Sequence, residues 1–288
     1  MSYKYIDTHA HVNINAFKED AGAVISRCAE EGVVVINVGT QQNTSKRAVE
    51  LAREFKNCFA IVGLHPIHTS ASYHDEQELG ENMKAFTSRG EEFDATYYRD
   101  LAIDKKVVAI GECGLDYYRL EKDTKAVQEK AFIEQIELAN ELNLPLMIHT
   151  RDSKGNVASV KAEVGVGNVY DDTYEILKAY AKVPFNVHFY AGTYEQAKKF
   201  FDIGGTISFT GVITFAKDYE EVVKNSPLTM LHAETDCPYV APSPYRGQRC
   251  EPWMVKEVYK KIAVIKNEDE EKVREQLIEN ATTLYKLI

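Results

Sequence analysis

His9 and His11, two residues apart in "KYIDTHAHVN" (4–13), are the first histidines along the chain. They end an apolar run. The side-chain period of a strand is 2, so residues i and i+2 project to one face, about 7 Å apart along the chain. Two imidazoles on one face suit a first-row metal. His-x-His alone fits an ordinary strand equally well, so further ligands must come from elsewhere. They recur at the ends of other strand-like runs: His65 in "VGLHP", Glu112 in "IGECG", His149 in "LMIHT", His188 in "NVHFY" and Asp236 in "AETDC". Of the eight histidines, five share this position. His68 and His74 fall in a loop, and His232 reads as a core residue inside the last run. Taken singly, each candidate has a structural reading: a hydrogen-bonded histidine, an ion-pair partner for Glu112, a turn cap for Asp236. Taken together, they are the donor set for a pair of divalent cations with a bridging acid.

Such residues need a frame that brings distant strand ends together. Eight strand-like runs recur: "KYIDTHA", "VVVINVG", "CFAIVGLHP", "VVAIGECGLD", "LPLMIHT", "PFNVHFYA", "GTISFTGV" and "LTMLHAETD". Most are continuous apolar β-formers, the pattern of strands buried on both faces of a parallel sheet. Helix-like stretches alternate with them. "FKEDAGAVISRCAEEG" ends at Gly32, a C-terminal stop. "NTSKRAVELAREF" opens on an Asn or Thr cap. "DTKAVQEKAFIEQIELANELNLP" is long and helix-periodic, and "EPWMVKEVYKKIAVIK" and "DEEKVREQLIENATTLYKL" close the chain. Eight such units in 288 residues predict a single α/β domain over 1–288, a (β/α)8 TIM barrel with C-terminal helices. A doubly wound open sheet is the rival. It would normally carry a Gly-rich loop after the first strand, where this chain has "DTHAH". The polar stretches 74–104 and 154–172 read as insertions over a barrel face.

On a barrel all the candidates lie at the C-terminal ends of strands, the face where barrel enzymes place their sites. His9 and His11 share one strand and should share one metal. His149 and His188, on adjacent strands, should share the second. Glu112 stands between the groups and is the natural bridge. Asp236 neighbours the first strand once the barrel closes, so it can touch the first metal and act as general base toward the attacking water. Two metals about 3.5–4 Å apart can lower that water's pKa and hold the attacking and leaving oxygens.

The chain resembles the TatD-like metal-dependent deoxyribonucleases, a branch of the amidohydrolase-type barrels. The similarity runs in order through "IDTHAHVN", "VGLHP", "IGECGLDYYR", "LPLMIHTRDS", "VHFYAGT", "AETDCPYVAPSPYRGQRCEP" and "NATTLYKL". It implies a (β/α)8 fold, two divalent metals, and hydrolysis of DNA phosphodiesters, often from the 3′ end. The family's ligand pattern falls on His9, His11, Glu112, His149, His188 and Asp236. It also places His65 near the substrate phosphate and aligns Arg246 and Arg249 in the loop after the eighth strand. A guanidinium suits a phosphate or a carboxylate equally. For Arg249 a loop-ordering pair with Glu251 is the alternative, and Arg151 after His149 is similarly open. Tyr118 and Tyr117 could stack on a base or pack as wall residues. Three departures stand out. "HPIH" has Ile67 where the family often has a second histidine. "HFYAG" brings Phe189 and Tyr190 beside His188. Residues 154–169 look like an insertion at the active-site mouth.

The expected function is a divalent-metal-dependent 3′–5′ exonuclease on single-stranded or frayed DNA, with Mg²⁺ or Mn²⁺ supporting turnover and Zn²⁺ able to occupy the site. The alternative keeps barrel and metals but hydrolyses a carbonyl: an ester, a lactone or an aminoacyl-tRNA. The formal net charge of −10 argues against sequence-blind adhesion to nucleic acid. It permits a phosphate substrate where cations reverse the local sign. No run is long and apolar enough to span a membrane, no secretory signal opens the chain, and no obligate protein partner is implied. Five widely spaced cysteines without a C-x-x-C pair read as reduced thiols in the cytoplasm.

Overall fold

The computed structural model describes residues 3–71, 73–74, 86–87, 90–118, 124–152 and 168–287. Eight parallel strands follow one another in chain order around a nearly closed barrel: β1 (Tyr5–Ala10), β2 (Val33–Val38), β3 (Cys58–Val62), β4 (Val107–Asp116), β5 (Leu146–Arg151), β6 (Phe185–Val187), β7 (Gly205–Phe209) and β8 (Leu231–Ala233). Among the described residues the α-helices are α1 (Ala21–Glu30), α2 (Gln42–Glu54), α3 (Ala95–Ala102), α4 (Thr124–Leu142), α5 (Val169–Tyr180), α6 (Tyr194–Asp202), α7 (Glu220–Asn225), α8 (Val255–Lys266) and α9 (Glu270–Tyr285). The doubly wound rival is excluded by this sequential order. A small antiparallel pair, Tyr73–His74 with Phe86–Thr87, lies outside the barrel.

The strands are buried on both faces because two cores flank them. On β2, Val33 and Val35 belong to the large cluster shared with the helices, while Val34, Ile36 and Val38 belong to the barrel interior. Ala281, Leu284 and Tyr285 of α9 join the interior cluster. Asn280 of α9 also donates to the carbonyls of Leu228 and Leu231, so this helix plugs the barrel's N-terminal end. The opposite end is left to the strand termini.

The barrel's seam, between β8 and β1, has a single bridge, Ala10 with Cys237. Backbone bonds from Asp236 N to the His9 carbonyl (2.9 Å) and from His11 N to the Cys237 carbonyl (2.9 Å) hold it. Asp7 clasps it as well: its carboxylate accepts from Thr235 N (2.8 Å) and Thr235 Oγ1 (2.6 Å).

Several sequence expectations shift. Gly32 follows α1 with φ +74, the left-handed stop expected there. The N-terminus of α2 begins before Asn43: Thr44 Oγ1 accepts from Gln41 N (3.0 Å), so Gln41 is the boundary residue. The stretch 74–104 is not wholly an insertion, because it contains α3, which packs against α2, α4 and β4 as a barrel helix. The end of 154–172 likewise belongs to α5. The rest of the 154–169 insertion lies outside the described residues. All five cysteines are free and buried; burial pushes the Cys58 thiol up to about 12. Among the described residues no helix is long and apolar enough to cross a membrane.

Candidate metal centre

At the open end of the barrel the six proposed ligands converge, and Glu112 is their hub. Its Oε2 lies 3.4 Å from His9 Nε2 and 3.8 Å from His11 Nε2. Its Oε1 lies 2.6 Å from His188 Nε2 and 2.9 Å from His149 Nδ1. One carboxylate therefore presents each oxygen to a different pair of imidazoles. Asp236 Oδ1 stands on the first side, 3.4 Å from His11 Nε2 and 3.7 Å from His9 Nε2.

Local backbone features place these groups. On β1, Ile6 faces the barrel interior while Ala10, at the same parity, faces the helices. A register shift between Asp7 and Ala10 separates them, and it turns His9 and His11 inward. Glu112 sits between Gly111 (φ +151) and Gly114 (φ +141), with a register shift between Ile110 and Cys113. A Cβ at Gly114 would stand 2.1 Å from the His149 carbonyl oxygen, so β4 and β5 can approach this closely only at glycine. Asp236 itself has φ +54, which swings it out of the strand path and over the seam.

The second ring nitrogens fix the tautomers. His11 Nδ1 donates to the Val38 carbonyl (2.9 Å), leaving the Nε2 lone pair for the centre. His149 Nε2 donates to Asp116 Oδ2 (2.9 Å), leaving Nδ1. His188 Nδ1 faces Glu234 Oε1 at 3.6 Å. His9 Nε2 and His11 Nε2 lie 3.0 Å apart. Two lone pairs at that spacing repel unless a cation or proton lies between them, and about 3 Å is one edge of a polyhedron with metal–nitrogen bonds near 2.0–2.1 Å. The donor set fits divalent cations by chemistry and by spacing. Among the described residues, donor atoms come within 4.8 Å of one another in His9 with His11 and Glu112, in His65 with Glu112 and His149, and in His9 with His188 and Glu234.

The charges are arranged around Glu112. Burial raises its pKa, but His188, His65 and His9 outweigh burial and hold the carboxyl well below the usual range. Burial opposes the charged form of His188, yet Glu112 and Glu234 keep its imidazole well above the ordinary value. Asp236 is held low against its burial, chiefly by the hydrogen bond to His11. Both carboxylates are therefore ionised at neutral pH. Asp236 and His149 have the most exposed side chains of the six, at 13% and 14%, so access is from their side.

The other sequence candidates divide. His65 Nε2 stands 3.3 Å from Glu112 Oε1. Its Nδ1 accepts from Ile67 N (3.1 Å), so the Nε2 proton points into the centre. Burial pushes this imidazole down to about 4, and His149 adds to the effect. His68 stands edge-on to His65, with ring centroids 6.2 Å apart. The Arg151 guanidinium lies over the Tyr118 ring at 3.8 Å, and Arg151 is the register partner of Asp116 across β4 and β5. Tyr117 is a buried wall residue donating to Asp172 Oδ2 (2.7 Å). Arg246 is exposed and stacks on Phe215 at 4.1 Å. Arg249 takes the loop-ordering alternative: it grips Asp20 through two bonds (3.0 and 2.6 Å), the Ala16 carbonyl and Glu251 Oε1 (3.1 Å). This spends its guanidinium away from the centre. Sequence reasoning missed Asp7, Asp116 and Glu234. Each stands within four residues of a candidate ligand, in "IDTHAH", "GECGLD" and "AETD", so proximity to a candidate was the available signal.

Comparisons with known proteins bear on the family and the fold. The family model described as "TatD related DNase" matches residues 6–286. The chain is 34% identical over 287 residues to the uncharacterized metal-dependent hydrolase YabD of Bacillus subtilis, covering 98% of each. It is 29% identical over 285 residues to the 3′-5′ ssDNA/RNA exonuclease TatD of Yersinia pseudotuberculosis, covering 94% of this chain and 95% of that one. The crystal structure of YjjV, a TatD homologue from Escherichia coli, superposes with a TM-score of 0.80 at 25% identity, covering both chains completely. With the family model matching residues 6–286 and the relatives covered over nearly their full length, the chain belongs to the TatD family of metal-dependent hydrolases.

Proposed function

We propose that the protein is a divalent-metal-dependent nuclease that removes nucleotides from the 3′ end of single-stranded or frayed DNA. The observation that carries this reading is the two-sided Glu112, whose oxygens serve two separate imidazole pairs. His9, His11 and Asp236 would hold one cation, His149 and His188 the other, with Glu112 between. Two bound divalent cations offset phosphodiester charge and lower the pKa of a water toward neutrality. Mg²⁺ or Mn²⁺ suits turnover, and the nitrogen-rich donor set also suits Zn²⁺.

The chain's own residues supply the rest. Asp236 Oδ1, ionised and on the accessible side, accepts the proton of the attacking water. The water oxygen forms the new bond to phosphorus and the bond from phosphorus to O3′ breaks; the proton held at Asp236 is then available to the departing oxygen. His65 carries its proton on Nε2, which faces Glu112 Oε1 at 3.3 Å and would be offered to a phosphate oxygen brought to the centre. Arg151 on Tyr118, and Arg246 on Phe215, offer guanidinium planes for phosphate or base contacts at the rim. Support from a relative is the exonuclease name of the Yersinia protein.

The test is a 5′-labelled single-stranded DNA oligonucleotide offered to chelator-stripped protein, then to protein resupplied with Mg²⁺, Mn²⁺ or Zn²⁺. A ladder shortening from the 3′ end is expected only with metal. Glu112→Gln and Asp236→Asn should each lower the rate at least about a hundredfold. Protein that takes up metal yet leaves DNA intact, while cleaving ester, lactone or aminoacyl-tRNA substrates, would replace the nuclease reading with carbonyl hydrolysis.

A further inference from the structure

Glu234 is fully buried, yet it is outside the six residues of the centre. Its Oε2 accepts from Ser208 Oγ (2.6 Å) and its Oε1 from the backbone N–H of Phe189 (2.6 Å). Oε1 also faces His188 Nδ1, whose Nε2 meets Glu112 on the opposite edge of the ring. We propose that Glu234 is a positioning residue that holds His188 in register with Glu112, and that it is itself locked by a polar chain descending through the barrel. The inference rests on the reading of this centre as a two-cation site.

The chain can be followed link by link. Ser208 accepts from Asn186 Nδ2 (2.8 Å), Asn186 Oδ1 accepts from Thr206 Oγ1 (3.2 Å), and Thr206 Oγ1 meets His232 Nε2 (3.0 Å). It joins β6, β7 and β8, so the ring angle of a ligand depends on the alignment of three strands. Phe189 adopts φ +43, which points its N–H at the oxygen that faces His188. The carboxylate oxygen that faces the ring at 3.6 Å thus also accepts from the backbone just after it.

The effect reaches the other side of the centre. His9 stacks on His188 with centroids 3.9 Å apart and planes within 10°. Ligand-capable atoms of His9, His188 and Glu234 lie within 4.8 Å of one another. A purely structural residue here could be apolar, since burying a carboxylate is costly unless specific partners compensate. Direct ligation is the competing role, but both oxygens already accept hydrogen bonds.

The test measures ion binding without turnover. Mn²⁺ is titrated into stripped wild type, Glu234→Gln and Ser208→Ala, with free Mn²⁺ read by electron paramagnetic resonance and folding checked by circular dichroism. Glutamine keeps the shape but places an N–H₂ where Ser208 or His188 needs an acceptor. We expect two ions at saturation in every folded variant, with affinity weakened about 10–100-fold in Glu234→Gln, the range for outer partners of metal-binding histidines. Ser208→Ala, which leaves the carboxylate but unlocks it, should weaken binding in the same direction by at least about threefold. Affinity within twofold of wild type in Glu234→Gln overturns the inference, as does outright loss of one ion, which would make Glu234 a ligand. If Glu234→Gln does not fold, unchanged affinity in Ser208→Ala overturns it. Wild type that takes up no Mn²⁺ would instead remove the two-cation reading beneath it.

Discussion

Glu112 shows how a buried carboxylate is kept ionised. Burial alone would neutralise it, but four imidazoles within 3.4 Å and a fifth at 3.8 Å outweigh that cost. The same crowd of donors would be self-repelling if every ring were charged, so the cluster is stable only with cations or a reduced proton load. Outside this hub the residues divide by what they already touch. Arg249 is held by Asp20 and Glu251, and the Arg151 guanidinium lies 3.8 Å over the Tyr118 ring, in register with Asp116 on the neighbouring strand. Arg151→Ala should therefore raise KM for a DNA oligonucleotide about tenfold, the loss of one charge-assisted contact, with a much smaller change in kcat. Steady-state kinetics with a labelled oligonucleotide checks this. An unchanged KM would place the phosphate contact on another residue.

At the scale of elements, β4 carries the most demanding geometry. Gly111 and Gly114 let its backbone run against β5, and the register shift between Ile110 and Cys113 delivers Glu112 to the centre. Gly114→Ala should disturb both stability and site. Its Cβ would meet backbone, which cannot swing aside, and φ +141 is strained for any L side chain. We expect a loss of about 1–3 kcal/mol or more of folding stability and weaker metal binding, because His149 must retreat with its carbonyl. Thermal melts with and without Mn²⁺ read both effects. A variant as stable as wild type and equally able to bind metal would show that β4 can shift without moving Glu112.

At the scale of the whole molecule, the barrel has a polar spine inside it as well as an apolar core. His232 sits at the lower end of that spine, and burial pushes its imidazole down to about 3. The unfolded chain takes up that proton near pH 6.5. A folded-state pKa below the unfolded value means that unfolding binds a proton between those two values. Stability is therefore lost from this residue as pH falls from about 6.5 toward 3, and none is lost above. His232→Asn should lower the proton uptake on unfolding at pH 5 by about one, measured from the pH dependence of the urea midpoint. An unchanged slope would mean that His232 is protonated in the native fold.

Much of this architecture was readable along the chain, because burial on both faces forces a barrel strand to be continuously apolar. "VVVINV" and "VVAIGECGLD" announce themselves, but the expectation that Glu112 ends its strand does not hold, because β4 continues to Asp116 and Glu112 lies within it. The pairing of Glu112 between two imidazole groups follows from strand order once a closed barrel is assumed. Three things were beyond local pattern. Strand parity puts Ile6 and Ala10 on one face; only the irregularity between Asp7 and Ala10 turns His9 and His11 inward. Arg249 could be assigned only when α1 and the loop after β8 were seen to meet at Asp20. Glu234 and Asp116 look like ordinary acids in sequence, and what distinguishes them is the second nitrogen of a ring contributed by another strand. Sequence by itself determined the elements, their order and the residue types at their ends, since periodicity and turn chemistry are local. Tertiary structure alone decided which way each side chain faces and which groups share a proton, because those depend on register and on atoms far apart in the chain.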